Sequence, residues 1–263
     1  MSKNIINIIL LILVFFTFFS CKEKPDPPEI EQHIIINFDF KNNGEDQNFD
    51  TMMYINEAGN HYMVNEIQFF ISDVILHNSN GSEFLIDDWK EIHYVDTDIP
   101  TSHKWEVFDN IPAGEYENIS FTFGFIEEKN HSFMFPNPPE RDMFWPEFLG
   151  GGYHYLKLNG KWLDENQQIS PFDFHMGIGQ IYYSYPDSII DFVHNAYEVV
   201  LPNSSFELQE NTTKSVSFIM NIEKWFESPH IYDHNIWKGY IMQNQEAMSV
   251  ACENGHDVFT VKF

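Results

Sequence analysis

From Glu115 to Phe125 the chain alternates: Ile119, Phe121, Phe123 and Phe125 are separated by Ser120, Thr122 and Gly124. A period of two puts one set of side chains on one face of a pleated strand, so the pattern demands a sheet with a buried face. Ile34 to Phe40, Val216 to Ile222 and Asp257 to Phe263 repeat it. Between these runs, Asn42-Asn43-Gly44, Asn78-Ser79-Asn80-Gly81, Pro112-Ala113-Gly114 and Asn254-Gly255 are turn or hairpin signals. Met63 to Leu76 is read as strand, because Ile and Phe cluster there with few helix caps. The 26 Phe residues suit a sheet core, where flat rings pack on a pleated surface. No internal repeat is evident. The expected fold is all-β: a single β-sandwich of about nine to eleven strands.

The first twenty residues read as a targeting segment. Lys3 gives a positive start, residues 5 to 16 are an apolar run, and Phe18-Phe19-Ser20-Cys21 sits where cleavage is expected. The run is short for a membrane span of about 20 residues and ends at a cysteine followed by Lys22-Glu23-Lys24. The expectation is therefore a lipoprotein signal peptide over 1–20, a lipidated Cys21 opening a tether over 21–32, and the β-sandwich over 33–263. Pro25, Pro27 and Pro28 keep the tether extended. This places the protein in the bacterial cell envelope, on the outer membrane, with its membrane contact through the lipid.

Lipidation of Cys21 would leave Cys252 as the one remaining cysteine, without an intrachain disulfide partner. A chain of this size nevertheless buries a core without staples. Lys+Arg 14 against Asp+Glu 40 gives a net charge of -26, which repels phosphate and argues against nucleic acid or anionic lipid as a partner. Its plain reading is a solvated acidic shell; attraction of metal cations is a secondary one.

Residues 143 to 177 concentrate metal-binding chemistry. Met143-Phe144-Trp145-Pro146 leads into Gly152-Tyr153-His154-Tyr155 and then Phe174-His175-Met176-Gly177. Thioether sulfur favours Cu(I), and imidazole suits copper or zinc. Pro136, Pro138, Pro139 and Pro146 interrupt regular pairing, so Met143, Phe144 and Trp145 are expected on a loop. Tyr153 to Leu158 resumes alternation, with His154 on the face of Leu156 and Leu158. If it pairs with Phe172 to Met176 across a turn at Asn159-Gly160, His154 and His175 meet at the open end of the hairpin. Each has a plainer role as a hydrogen-bonded structural histidine, and Met143 and Met176 one as packing residues. His131 precedes the proline loop and could cover the same site. His230 and His234, four residues apart after Pro229, are either a second metal pair or a polar turn. Cys252 reads as a small hydrophobe unless exposed.

The order of these elements resembles the MbnP-like family of copper-binding proteins, which share an all-β fold. Asn65 to Leu76 (NEIQFFISDVIL), Ile111 to Phe125 (IPAGEYENISFTFGF) and Asn221 to Phe226 (NIEKWF) look like further blocks of that family, in the same order. The resemblance covers most of the chain after about residue 33. It implies copper as the bound metal and favours His154 and His175 as its ligands; His131, by its place before the proline loop, and Met176, by its thioether, complete the candidate set. It also implies that Trp145 corresponds to a tryptophan that a haem peroxidase-like partner enzyme oxidises to kynurenine beside the metal. Where family members often carry a second tryptophan, this chain has Phe148.

Signatures of other chemistries are missing: no Gly-x-Ser-x-Gly elbow, His-Glu-x-x-His helix, Cys-x-x-Cys pair, phosphate loop or calcium loop occurs. The expected function is capture, storage or delivery of copper by a lipid-anchored protein that is not an enzyme, with affinity falling below about pH 6 to 6.5 as free imidazole protonates. The alternatives are a metal-free surface module that binds glycan or protein through exposed Tyr182, Tyr183 and Tyr185, and a copper-dependent redox enzyme with an open coordination position.

Overall fold

A computed structural model describes residues 33–87 and 91–263. The expected signal peptide, Cys21 and the tether lie outside the described residues. In chain order the strands are β1 (His33–Asn42), β2 (Glu45–Asp46), β3 (Tyr54–Ile55), β4 (His61–Asn78), β5 (Glu83–Leu85), β6 (Ile92–Asp96), β7 (Lys104–Val107) and β8 (Gly114–Phe123). They continue with β9 (Leu156–Leu163), β10 (Ile169–Met176), β11 (Ile178–Ser184), β12 (Ser188–His194), β13 (Tyr197–Val200), β14 (Phe206–Leu208), β15 (Thr213–Asn221) and β16 (Phe259–Lys262). The number exceeds the nine to eleven expected because pairings of two or three residues, such as β2, β3, β5 and β14, are too short for alternation to register.

The fold is an all-β sandwich. One sheet runs β16-β15-β1-β2 with β7 also on β1; the other runs β10-β9-β4-β8-β13, with β3, β5 and β6 on β4 and β14 on β8. Strands β11 and β12 form a separate ribbon. The alternation is what closes the sandwich: Phe38 from the first sheet meets Phe69 from the second at 6.0 Å, and Phe218 meets Phe121 at 5.6 Å. Each of these rings is nearly or fully buried, worth roughly 1.5–3 kcal/mol apiece on the transfer scale. Asn43 and Gly44, both at positive φ, make the two-residue turn between β1 and β2 that the sequence signals.

Two turn readings are corrected. Asn159-Gly160 lies inside β9, and the β9–β10 hairpin turns at residues 164–168. There the Asp164 carboxylate accepts the Asn166 and Gln168 amides, a side-chain turn that outcompetes the Asn-Gly signal upstream. Asn254-Gly255 closes the helix Gln245–Asn254 rather than a hairpin, since the buried Asn254 amide is spent on the Trp225 and His230 carbonyls.

Candidate metal centre

Strand β10 alternates strictly: Phe172, Phe174 and Met176 are buried, whereas Asp173 and His175 face the other side of the sheet. Opposite His175 in register stands Lys157 of β9. The chain arrives at β9 through a reversal at Gly150, Gly151 and Gly152, all in the left-handed region at φ 118°, 71° and 75°. Only glycine holds such a run without strain. Ser132 and Asn130 clamp the reversal by accepting the Gly152 and Tyr153 amides at 2.7 and 2.9 Å.

The reversal folds the chain back on the proline loop. Trp145 donates its backbone N–H to Gly152 O at 2.8 Å, and His154 donates its own to Met143 O at 2.7 Å. The loop therefore turns inward instead of presenting its residues: Met143 and Trp145 are fully buried, while Phe148 is exposed. Because these bonds tie residues 152–154 to the proline loop, β9 begins only at Leu156 and the alternation does not extend back to His154. His154 does not share the face of Leu156 and Leu158. It meets His175 on the opposite face, with ring centroids 5.2 Å apart and planes at 88°.

Trp145 lies edge-on to His154 at 4.6 Å, its indole N–H donating to Leu149 O at 3.1 Å. The benzo edge is covered by Gly177, where an added Cβ would stand 2.6 Å from the ring. His154 is buried and bonds through Nδ1 to Met143 O at 2.9 Å. His175 is half-buried and bonds through Nε2 to Asn159 Oδ1 at 2.7 Å. Asn159 in turn donates to Glu66 Oε2 at 3.0 Å. Lys157 donates to Asp142 O at 2.6 Å, and burial lowers its pKa.

Desolvation dominates the acid–base chemistry. It pushes the His175 imidazole down to about 3, with the Lys157 charge second. His154 is held well below the ordinary imidazole range by burial first, then by His175 and Lys157. Both rings are therefore neutral at pH 7, the form that coordinates metal. Among the described residues no cluster of three or more His, Cys, Asp and Glu side chains is gathered for a metal ion. Structural zinc closes four protein ligands and catalytic zinc three, so two imidazoles fit zinc poorly. They fit Cu(I), a d10 ion that accepts low coordination numbers.

The other candidates stand elsewhere. Met176 is buried on the core face of β10, the side opposite His175. His131 is exposed and lines a separate cleft of about 520 Å³ with Glu91, Lys129 and Met134. His230 bonds Glu253 at the surface at 2.5 Å. His234 is buried and stacks on Phe172 at 4.4 Å and Trp162 at 5.6 Å. Cys252 is half-buried with its thiol pushed up to about 12 by burial, which suits a packing role rather than a thiolate ligand. Asn159, Glu66, Lys157, Asn130 and Ser132 carry no sequence signal beyond polarity on a strand or loop; the Gly150-Gly151-Gly152 run was the one visible sign of the reversal.

A family model described as MbnP matches residues 31–248 of the chain. Among solved structures the chain is similar to MbnP from Methylosinus trichosporium, at 17% identity and a TM-score of 0.51, over 76% of this chain and 79% of that one. At that identity the likeness is one of fold. No curated protein sequence matches.

Proposed function

The chain belongs to the MbnP family, and from that premise we propose that it binds copper in the bacterial cell envelope, for capture, storage or delivery rather than turnover. The observation that carries the proposal is the contact of His154 and His175 at 5.2 Å, both neutral, beside the buried indole of Trp145. His154 and His175 would hold the metal; bound copper supplies a soft centre able to cycle between two oxidation states. The protein's share is to fix two donors on a hairpin end and keep bulk water from them. Trp145, edge-on to His154 at 4.6 Å, is the residue on which the oxidative modification implied by the family resemblance would fall. We also propose attachment through a lipid on Cys21.

Competitive titration with Cu(I) of wild type, His154→Ala and His175→Ala tests the reading. Loss of one of two ligands is expected to lower affinity at least 100-fold in each variant, and equal affinity in all three proteins would move the site elsewhere. Because burial depresses both imidazoles, wild-type affinity is expected to hold from pH 7 to about pH 5, rather than fall below about pH 6 to 6.5 as for free histidine. A midpoint of loss at pH 6.5 would contradict the buried pair. The metal-free reading retains one favourable observation, the exposure of Tyr183 at 84% and Tyr185 at 67% on the β11–β12 ribbon; wild-type protein that takes up no copper would favour it.

A further inference from the structure

We propose that Asn159 and Glu66 form a positioning pair that fixes the tautomer of His175 and leaves Nδ1 as its donor atom. An ionised carboxylate only accepts, so Glu66 Oε2 takes an N–H of the Asn159 amide at 3.0 Å. That orients the amide, and its Oδ1 faces His175 Nε2 at 2.7 Å. An amide oxygen also only accepts, so Nε2 carries the proton and the lone pair remains on Nδ1. His154 is fixed in the opposite sense: its Nδ1 bonds the Met143 carbonyl at 2.9 Å, which requires N–H there and leaves Nε2. The pair thus offers Nε2 from His154 and Nδ1 from His175.

A backbone irregularity puts Glu66 in place. Along β4, Tyr62 and Val64 are buried, and strict alternation would send Glu66 to the same side. The ladder with β9 slips between Val64 and Glu66: Val64 pairs with Gly160 and Glu66 with Asn159, leaving Asn65 as an extra residue. Such a bulge re-aims the side chains that follow. Ile67 and Phe69 become the buried residues, and Glu66 is turned to the face of Asn159 and His175. The Asn65 amide reaches Asp50 Oδ1 at 2.5 Å, which secures the bulge.

The metal-binding part of the inference rests on the copper reading; the tautomer does not. The test uses the full-length, metal-free protein labelled with 15N at histidine, whose ring nitrogen shifts separate the two neutral tautomers. In wild type His175 is expected as the Nε2–H form, and His154 as Nδ1–H. Glu66→Gln, which replaces a pure acceptor with a group that both donates and accepts, is expected to give His175 a mixture of tautomers, as is Asn159→Leu. Cu(I) affinity in both variants is expected to fall 10- to 100-fold. An Nδ1–H tautomer for His175 in wild type overturns the proposal, and so does an unchanged tautomer in Glu66→Gln, the near-isosteric variant least able to disturb folding. Wild type with the stated tautomers and no Cu(I) uptake would leave the positioning pair standing and remove the copper reading instead.

Discussion

His154 donates from Nδ1 to a carbonyl, whereas His234, equally buried, sits among Phe172, Trp162, Phe226 and Tyr232 with no hydrogen-bond partner for either ring nitrogen among the described residues. Burial pushes His234 down to about 3, against about 6.5 in an unfolded chain. As pH falls from about 6.5 toward 3 the unfolded state takes up a proton that the folded state refuses, so stability intact above pH 6.5 is lost through that window. The loss is up to about 1.4 kcal/mol per pH unit. His234→Leu removes it. Chemical unfolding at pH 7 and pH 5 is expected to show the variant gaining about 2 kcal/mol on wild type between the two, whatever its baseline. A gap that does not change with pH would mean that His234 protonates within the fold. His154 and His175 were legible as candidates by residue type, but the expected turn and the expected face of His154 both differ, and it is the glycine reversal that sets the two rings side by side. Asn159 and Glu66 were not legible, because a polar residue on the outer face of a strand has the same pattern whether it meets water or a ligand's second nitrogen.

The hairpin β9–β10 and the loop before it carry the site together, and they were legible to different degrees. Alternation located both strands, but their turn is set by one carboxylate, Asp164, and strand partners are not encoded in periodicity at all. The parallel pairing of β1 with β15, residue 36 against residue 216, brings together segments that no local signal links. Prolines correctly marked residues 136–146 as irregular, yet irregular backbone is not exposed backbone. Once Trp145 and His154 donate their amides to Gly152 and Met143, the loop's polar groups are satisfied and its large side chains can enter the core. Gly177 is the point at which the indole packs against the chain, since Trp145 occupies the space a side chain would need. Gly177→Ala is expected to lower stability by about 1–3 kcal/mol through overpacking. It should also shift the tryptophan emission and weaken Cu(I) binding, because Trp145 rests on His154. Unchanged melting temperature and emission would show that the indole has room to spare.

At the scale of the whole chain, the apolar rings set the sandwich and the charge sets what surrounds it. A net charge of -26 sits on a chain whose core contains almost none of it; Asp96 is the one buried carboxylate among the described residues, held by Tyr94 and Gln68. That segregation is why the architecture could be read from alternation while the acidic balance said only what the surface avoids. An anionic membrane repels such a domain, so its charged surface supplies none of the proposed attachment. Cys21→Ser, expressed with its own leader, is expected to abolish lipid labelling and to move the protein from the membrane fraction to the soluble one, or to leave it uncleaved. Circular dichroism and Cu(I) affinity should stay as in wild type, since neither the sandwich nor the His154–His175 pair depends on the anchor. Protein that still labels with lipid and sediments with membranes after the substitution would remove the lipoprotein reading. Protein that loses copper affinity with its anchor would tie the site to the membrane in a way that a hairpin-borne histidine pair does not allow.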